Sequence, residues 1–372
     1  MPLPDLVTLF CELAAIPSPP GEERAVADRV IEHIRSLGLE VDEDDAGALI
    51  GSTMGNLLAR VEPTADGGTP IFLCAHLDTV PPTDSIEPVV ENGVVRNARP
   101  TILGADNKAA VAVMLEGVRR IVDERRPHAG IELLFTPKEE VGLEGAKAFD
   151  VSRLAARIGF VFDHEGAIGE IVRQAPYSTA IDAVFTGRAA HAGMVPEEGR
   201  SAIFAAARAI ADLRLGRIDA ETTANVGEIH GGTARNIVPD RCVVVAEARS
   251  QDERKLAEVI QEMLDSFAFA ASVAECEVET ELTEKYRGYR FTGDDPALTL
   301  AENALRAAGF EPSFLVGGGG ADANAFNVQG LSCANLANGM RRIHSFEEHI
   351  AVDDLERMVD VTLSLVDAAR AA

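Results

Sequence analysis

Tryptophan is absent from this 372-residue chain and tyrosine occurs only three times. Few flat side chains are therefore left on which nucleobases could stack. Basic residues are also scarce: 34 Lys and Arg stand against 60 Asp and Glu, a formal net charge of -26. A phosphate backbone would be repelled, so no nucleic-acid partner is expected. No apolar run approaches the roughly 18 residues of a membrane-spanning helix, so no membrane association is expected either. The five cysteines (Cys11, Cys74, Cys242, Cys276 and Cys333) are odd in number and show no Cys-x-x-Cys spacing. They fit reduced thiols rather than a disulfide framework or a thiolate metal site. Met1-Pro2-Leu3-Pro4-Asp5 lacks the basic and apolar segments of a secretory leader, so a cytoplasmic location is expected.

What is present is an ordinary globular balance, 47% hydrophobic and 25% charged, on a chain long enough for two domains. The spacing predicts helices over Asp5 to about Ala15 and about Glu22 to Leu37, the second carrying Val26, Val30, Ile34 and Leu37 near helical period. Strands are predicted at Gly55–Val61, Pro70–Ala75, Ile131–Phe135 and Ile158–Phe162, with an alanine-containing helix at Asn107–Val122. This alternation predicts an α/β domain with a mostly parallel mixed sheet flanked by helices. After Ala175-Pro176 the pattern changes. Strands at Ser178–Phe185, Asn225–Ile229, Arg241–Ala248 and Ser272–Leu282 accompany helices at Gly199/Arg200 to Leu213 and Asp252 to about Phe269. They predict an inserted α+β domain over residues 178–288, with residues 1–177 and 289–372 forming the domain that surrounds it in sequence.

Chemistry concentrates where apolar strands end. Thr136-Pro137-Lys138-Glu139-Glu140 places two carboxylates behind Ile131–Phe135, at the strand end where open α/β sheets bind their ligands. Adjacent side chains diverge there, so one acid can hold a cation while the other faces a substrate. His76-Leu77-Asp78 follows the Ile71–Ala75 run; residues at i and i+2 share a side, so Asp78 can accept the second ring N–H of a metal-binding His76. Asp106, at the start of the Asn107–Val122 helix, is placed to be either a helix N-cap or a carboxylate bridging two metals. Asp163 repeats the pattern of an apolar strand followed by an acid, and His344 supplies a second imidazole; His164 and His349 read as supporting or surface residues. Two histidines and three carboxylates without thiolate suit a two-metal hydrolytic site holding Zn²⁺, with Co²⁺ or Mn²⁺ as substitutes. Such a site needs one free base beside the attacking water, and the doublet supplies it: Glu140 as ligand, Glu139 as base.

Five stretches resemble the M20 metallopeptidases, and most closely their peptidase T-like (tripeptide aminopeptidase-like) branch. They are Ala75-His76-Leu77-Asp78-Thr79-Val80, Gly104-Ala105-Asp106-Asn107-Lys108-Ala109, Thr136 to Gly142, Asp163, and Ile343-His344-Ser345, in the family's order across nearly the whole chain. Asn107 departs from the Asp or Met usual there. The resemblance implies that His76 and Asp163 hold one metal, Glu140 and His344 the other, and Asp106 bridges them. It further implies Asp78 as the orienting residue and Glu139 as general acid/base. It casts 178–288 as a lid that also makes homodimer contacts, in which His191 stabilises an oxyanion, Asn236 contacts substrate and Arg249 clamps a carboxylate. The residues themselves leave His191 open to a surface-loop role and Arg249 to a structural salt bridge.

The expected activity is hydrolysis of short peptides by a dinuclear zinc exopeptidase of aminopeptidase type. A carboxypeptidase or an N-acyl-amino-acid deacylase acting on acyl-amino-acid substrates would share every ligand. A silent binding protein would lack a ligand or the base, and none is missing.

Overall fold

In the computed structural model, residues 5–372 are described; Met1–Pro4, the first part of the segment read above for a leader, lie outside the described residues. The chain divides into two compact units, one running up to Gln174 and resuming at Arg290–Ala372, the other formed by Ala175–Tyr289. The sequence had suggested an insertion over 178–288.

The first unit is organised by a nine-stranded sheet. Its centre is four parallel strands in the spatial order Ile131–Thr136, Ile71–His76, Ile158–His164, Ser332–Ala337. Leu57–Val61 adds antiparallel on one side and Glu170–Ala175 on the other, which makes the sheet mixed. Every residue of Ile71–His76 and of Ile131–Thr136 is buried, as strands covered on both faces must be. Phe72, Cys74 and His76 alternate onto one face, where Phe72 meets Phe326 of the helix Asp322–Val328 edge-on at 5.3 Å between centroids. The helix Ala105–Asp123 packs on the strands Ile71–His76 and Ile158–His164, and against the long helix Val352–Ala371. Because the central strands run parallel, their carboxyl ends finish together, and the register sets His76 opposite Thr136.

The second unit is a five-stranded antiparallel sheet in the order Gly216–Arg217, Thr222–Gly231, Arg241–Ser250, Tyr177–Thr186, Glu277–Tyr286. The helices Ala202–Asp212 and Glu253–Val273 pack on it and on each other. Ala202, Ala205, Ala206 and Ala209 are fully buried, so the first helix sits close to the strands, and Phe185 and Phe267 meet edge-on at 5.8 Å.

Two sequence expectations shift. The strand expected at Ser272–Leu282 is Glu277–Tyr286, because the apolar helical spacing through Met263, Phe267 and Ala270 carries the preceding helix on to Val273. The strand expected to stop at Phe162 runs through His164, so Asp163 lies inside it. Several short strands were not foreseen, among them Pro88–Glu91 and Val94–Asn97, which form a small sheet with His349–Ala351.

Removing the ring at the centre of the second core, Phe267→Ala, is expected to cost about 3–5 kcal/mol, the usual range for emptying a packed aromatic site. The check is a fall in the urea midpoint of the insert; an unchanged midpoint would mean that the aromatic pair carries little of its packing.

Candidate metal centre

His76 is the last residue of its strand and is buried. Its Nδ1 donates to the Asp78 carbonyl at 2.9 Å, because a carbonyl can only accept. That bond leaves Nε2, on the other side of the ring, as the atom aimed at the acids. The Asp78 carboxylate was expected to be the acceptor, but it stands farther from Nδ1, at 3.5 Å. It is engaged instead by two backbone N–H groups, from Glu139 at 2.9 Å and Glu140 at 3.1 Å. Asp78 therefore holds the ring through its main chain and the acid doublet through its side chain.

The doublet rides on a turn closed by backbone bonds, Gly145 N–H to the Pro137 carbonyl at 3.1 Å and Leu143 N–H to that of Glu139 at 2.8 Å. A Cβ on Gly145 would lie 2.4 Å from the Pro137 oxygen, so only glycine lets the chain pass there. Lys138 and Leu143 take left-handed φ values of 56° and 61°, as do Arg342 and His344 at 56° and 59°. Four non-glycine residues in this costly region thus sit in the two segments that carry Glu139, Glu140 and His344, a concentration of strain typical of functional sites.

Asp106 joins the halves. Its Oδ1 lies 3.1 Å from His76 Nε2 and its Oδ2 3.2 Å from His344 Nε2. His344 Nε2 is also 3.0 Å from Glu140 Oε1, and His76 Nε2 is 3.7 Å from Asp163 Oδ1. The N-cap alternative for Asp106 does not hold: the helix is capped at Gly104 with no side-chain bond, and Asp106 has non-helical angles that turn its carboxylate to the histidines. Ligand atoms of His76, Asp106 and Glu140 lie within 4.8 Å of one another, as do those of His76, Glu139 and Asp163. All six predicted residues of the centre are thus brought together, and Glu139 as well as Glu140 stands within ligating range. Nitrogen and oxygen donors so arranged fit divalent cations such as Zn²⁺.

The electrostatics of the side chains point the same way. Burial pushes the Glu139 carboxyl well above the ordinary range, with the nearby Asp163 adding to the rise; Asp163 itself is pushed to about 7 by burial and then by Asp106. Burial alone would lower His76, but the carboxylates of Asp106, Asp163 and Asp78 around its ring raise it well above normal. His344 is raised to about 10 by its bonds to Asp106 and Glu140. Asp106 is held low by the two histidines despite its burial. A crowd of buried acids thus favours positive charge close to it.

Several supporting residues had no signal in the sequence. Glu348, 2% exposed, accepts N–H bonds from Leu103 at 2.7 Å, Gly104 at 2.8 Å and Asp106 at 3.0 Å. Glu23 accepts from Lys138 N–H at 3.2 Å, and Glu165 from Arg342 N–H at 2.7 Å. Asn335 bonds both the N–H and the carbonyl of Asp163, at 2.9 and 2.8 Å. Asp322, buried beneath the centre, accepts from the Thr136 hydroxyl at 2.5 Å. These partners are backbone groups or distant side chains, which no local pattern reveals. His164 and His349 stand outside both ligand groups among the described residues.

The remaining predicted residues belong to the second unit. His191 is exposed, and its Nδ1 accepts from Gly193 N–H at 3.2 Å. Asn236 is exposed on the neighbouring segment, its carbonyl accepting from Ala192 N–H at 3.0 Å, so two residues far apart in sequence share one loop pair. Arg249 donates to Glu247 at 2.9 Å, the ion pair its sequence context left open.

Residues 178–272 match the family model described as a peptidase dimerisation domain, and residues 56–189 match that of peptidase family M28. The chain is 37% identical to the uncharacterized protein YqjE of Bacillus subtilis (strain 168), over 98% of each. Among solved structures it resembles an aminopeptidase PepT from Bacillus cereus ATCC 10987, with a TM-score of 0.86 and 38% identity over 98% of both chains. It also resembles a tripeptidase from Staphylococcus aureus subsp. aureus Mu50, with a TM-score of 0.92 and 33% identity over 99% of this chain and 98% of that one.

The raised groups set a direction for stability. A folded state whose His344 titrates near 10 and whose Asp163 titrates near 7 binds more protons than the unfolded chain. The His344 contribution is complete below its ordinary value and is lost as pH rises through about 10. The thermal midpoint of the metal-free protein is therefore expected to fall as pH rises from about 6 to about 9, and added divalent metal to remove most of that fall. A midpoint that rises over this window in the metal-free protein would contradict the assignment.

Proposed function

The chain belongs to the M20 family of metallopeptidases, in its peptidase T-like branch, and from that premise we propose that it is a dinuclear zinc exopeptidase that removes residues from the amino terminus of short peptides. The observation that carries the reading is Asp106, which presents one carboxylate oxygen to each of two histidines at 3.1 and 3.2 Å. His76 with Asp163, and Glu140 with His344, would hold one cation each, Asp106 would bridge them, and Co²⁺ or Mn²⁺ could substitute. Two cations there would supply an activated water and a polarised scissile carbonyl.

Glu139 takes the proton of the attacking water and passes it to the leaving amine. Its burial and its acidic neighbours raise its proton affinity, which suits a group that must take a proton from water. Asp78 fixes both N–H groups of the doublet, which keeps the two side chains on separate tasks. His191 for the oxyanion, Asn236 for substrate contact and Arg249 for a substrate carboxylate are proposed as the insert's contributions; Arg249 would have to exchange its bond to Glu247 to act. Short peptides as substrates are supported by the aminopeptidase and tripeptidase likenesses. The five free cysteines fit a cytoplasmic setting.

A homodimer through the insert is part of the same reading, supported by the dimerisation-domain match. Thr222–Gly231 pairs on its outer side only at Thr223 and Ala224, so the rest of that edge is open among the described residues. Ile203, Phe204 and Ile229 are exposed on the same unit, and a Cβ on Gly231 would lie 2.9 Å from Ile203. An open strand edge beside exposed apolar side chains suits a second copy.

Glu139→Ala is expected to retain both metals and lose about 10²–10⁴-fold in kcat, whereas Glu140→Ala and His344→Ala lose metal first. Metal analysis beside steady-state kinetics on tripeptides with free and blocked amino termini separates the cases. Undiminished turnover in Glu139→Ala, or a preference for blocked substrates, would sink the reading. Phe204→Glu is expected to shift the protein from dimer to monomer in sedimentation velocity.

A further inference from the structure

The loop that delivers His344 touches Asp106 twice. His344 reaches the side chain, 3.2 Å from Oδ2, and four residues later Glu348 reaches the backbone. Glu348 is 2% exposed, and both of its oxygens are used: Oε2 accepts from Leu103 and Gly104, Oε1 from Asp106. These three N–H groups belong to the irregular entry of the helix Ala105–Asp123, where Gly104 has a φ of 77° and Asp106 and Asn107 leave helical angles. A residue in such a conformation does not hold its side chain in place through the helix ladder, so the aim of the Asp106 carboxylate depends on what fixes its main chain. At these three N–H groups that is Glu348.

We propose that Glu348 is a positioning residue for the metal centre: by clamping the backbone from Leu103 to Asp106 it keeps the two Asp106 oxygens pointed at separate histidines, and so sets the affinity for the second cation. The inference rests on the dinuclear reading above. Its chemistry is specific to a carboxylate. A glutamine of the same shape can offer one oxygen to Leu103 and Gly104, but then sets an N–H₂ against the Asp106 N–H, donor facing donor. A buried N–H left without an acceptor, or forced toward another, moves. Supporting groups of this kind commonly change metal affinity or activity by about 10–100-fold.

The test uses the full-length protein, stripped of metal and titrated with Co²⁺, followed by its visible absorption. The wild type is expected to take two equivalents; if it takes none, the dinuclear reading itself fails. Glu348→Gln is expected to take the first equivalent nearly as the wild type does and the second about 10–100-fold more weakly, with an altered spectrum and a matching fall in kcat at little change in KM. Glu347→Gln, its exposed neighbour, is expected to behave as the wild type. A Glu348→Gln protein that matches the wild type in both equivalents and in spectrum overturns the proposal. Should that variant fail to fold, amide hydrogen exchange on the metal-free wild type decides. Slow exchange at Leu103, Gly104 and Asp106 before any metal is added supports a preset clamp; free exchange there, slowed only by metal, overturns it.

Discussion

Everything at the centre follows from one shared carboxylate. Asp106 spans two histidines that come from opposite ends of the chain, and its geometry fixes how far apart their ring nitrogens stand. The parallel register brings His76, Glu139, Glu140 and Asp163 to one edge of the sheet, but it does not by itself join them to His344. That link is made by Asp106, which is why the residue sits at a departure from helix geometry rather than within it.

A group of acids so close together is unfavourable unless positive charge enters. Solvent gives little relief from the repulsion, because the strands below are buried along their whole length. The same force that destabilises the fold is thus the force that would hold a cation, a common exchange of stability for function. Around the candidate ligands a second tier of polar groups, Glu23, Asp78, Glu165, Asn335 and Glu348, spends its hydrogen bonds on main-chain N–H groups at or beside those residues. None of these side chains need touch a metal to matter. Two of them, Glu23 and Glu165, bond the N–H groups of Lys138 and Arg342, residues held in left-handed conformations.

How much of this could be read from the chain depended on distance. Strand ends were legible, because an apolar run that gives way to His76, to Pro137 and the acid doublet, or to Asp163 marks where polar side chains gather, even though His76 and Glu139 are themselves buried. The insert was legible in its alternating strands, and the dimerisation-domain match falls within it. Asp106 was legible only as two alternatives, since a helix-start aspartate and a bridging one look alike until the backbone angles are known. Glu348 was invisible: its partners lie 242 to 245 residues away and are main-chain atoms, which have no letter in a sequence. Asp78 was half legible. The i, i+2 spacing led to His76, but the nearer contact is a carbonyl, and the side chain went to the doublet.

The chain leaves the first unit just after Gln174 and returns to it at Arg290, and the two crossings are neighbours: Phe291 N–H donates to the Arg173 carbonyl at 3.0 Å. The entire Ala175–Tyr289 segment is therefore threaded through a gap no wider than one backbone hydrogen bond. Topologically it is a cassette, and closing the gap with a short turn would ask little loop entropy of the remaining chain. Such a layout lets one scaffold exchange, lose or acquire an accessory module without rerouting a single strand beneath its cluster of histidines and acids.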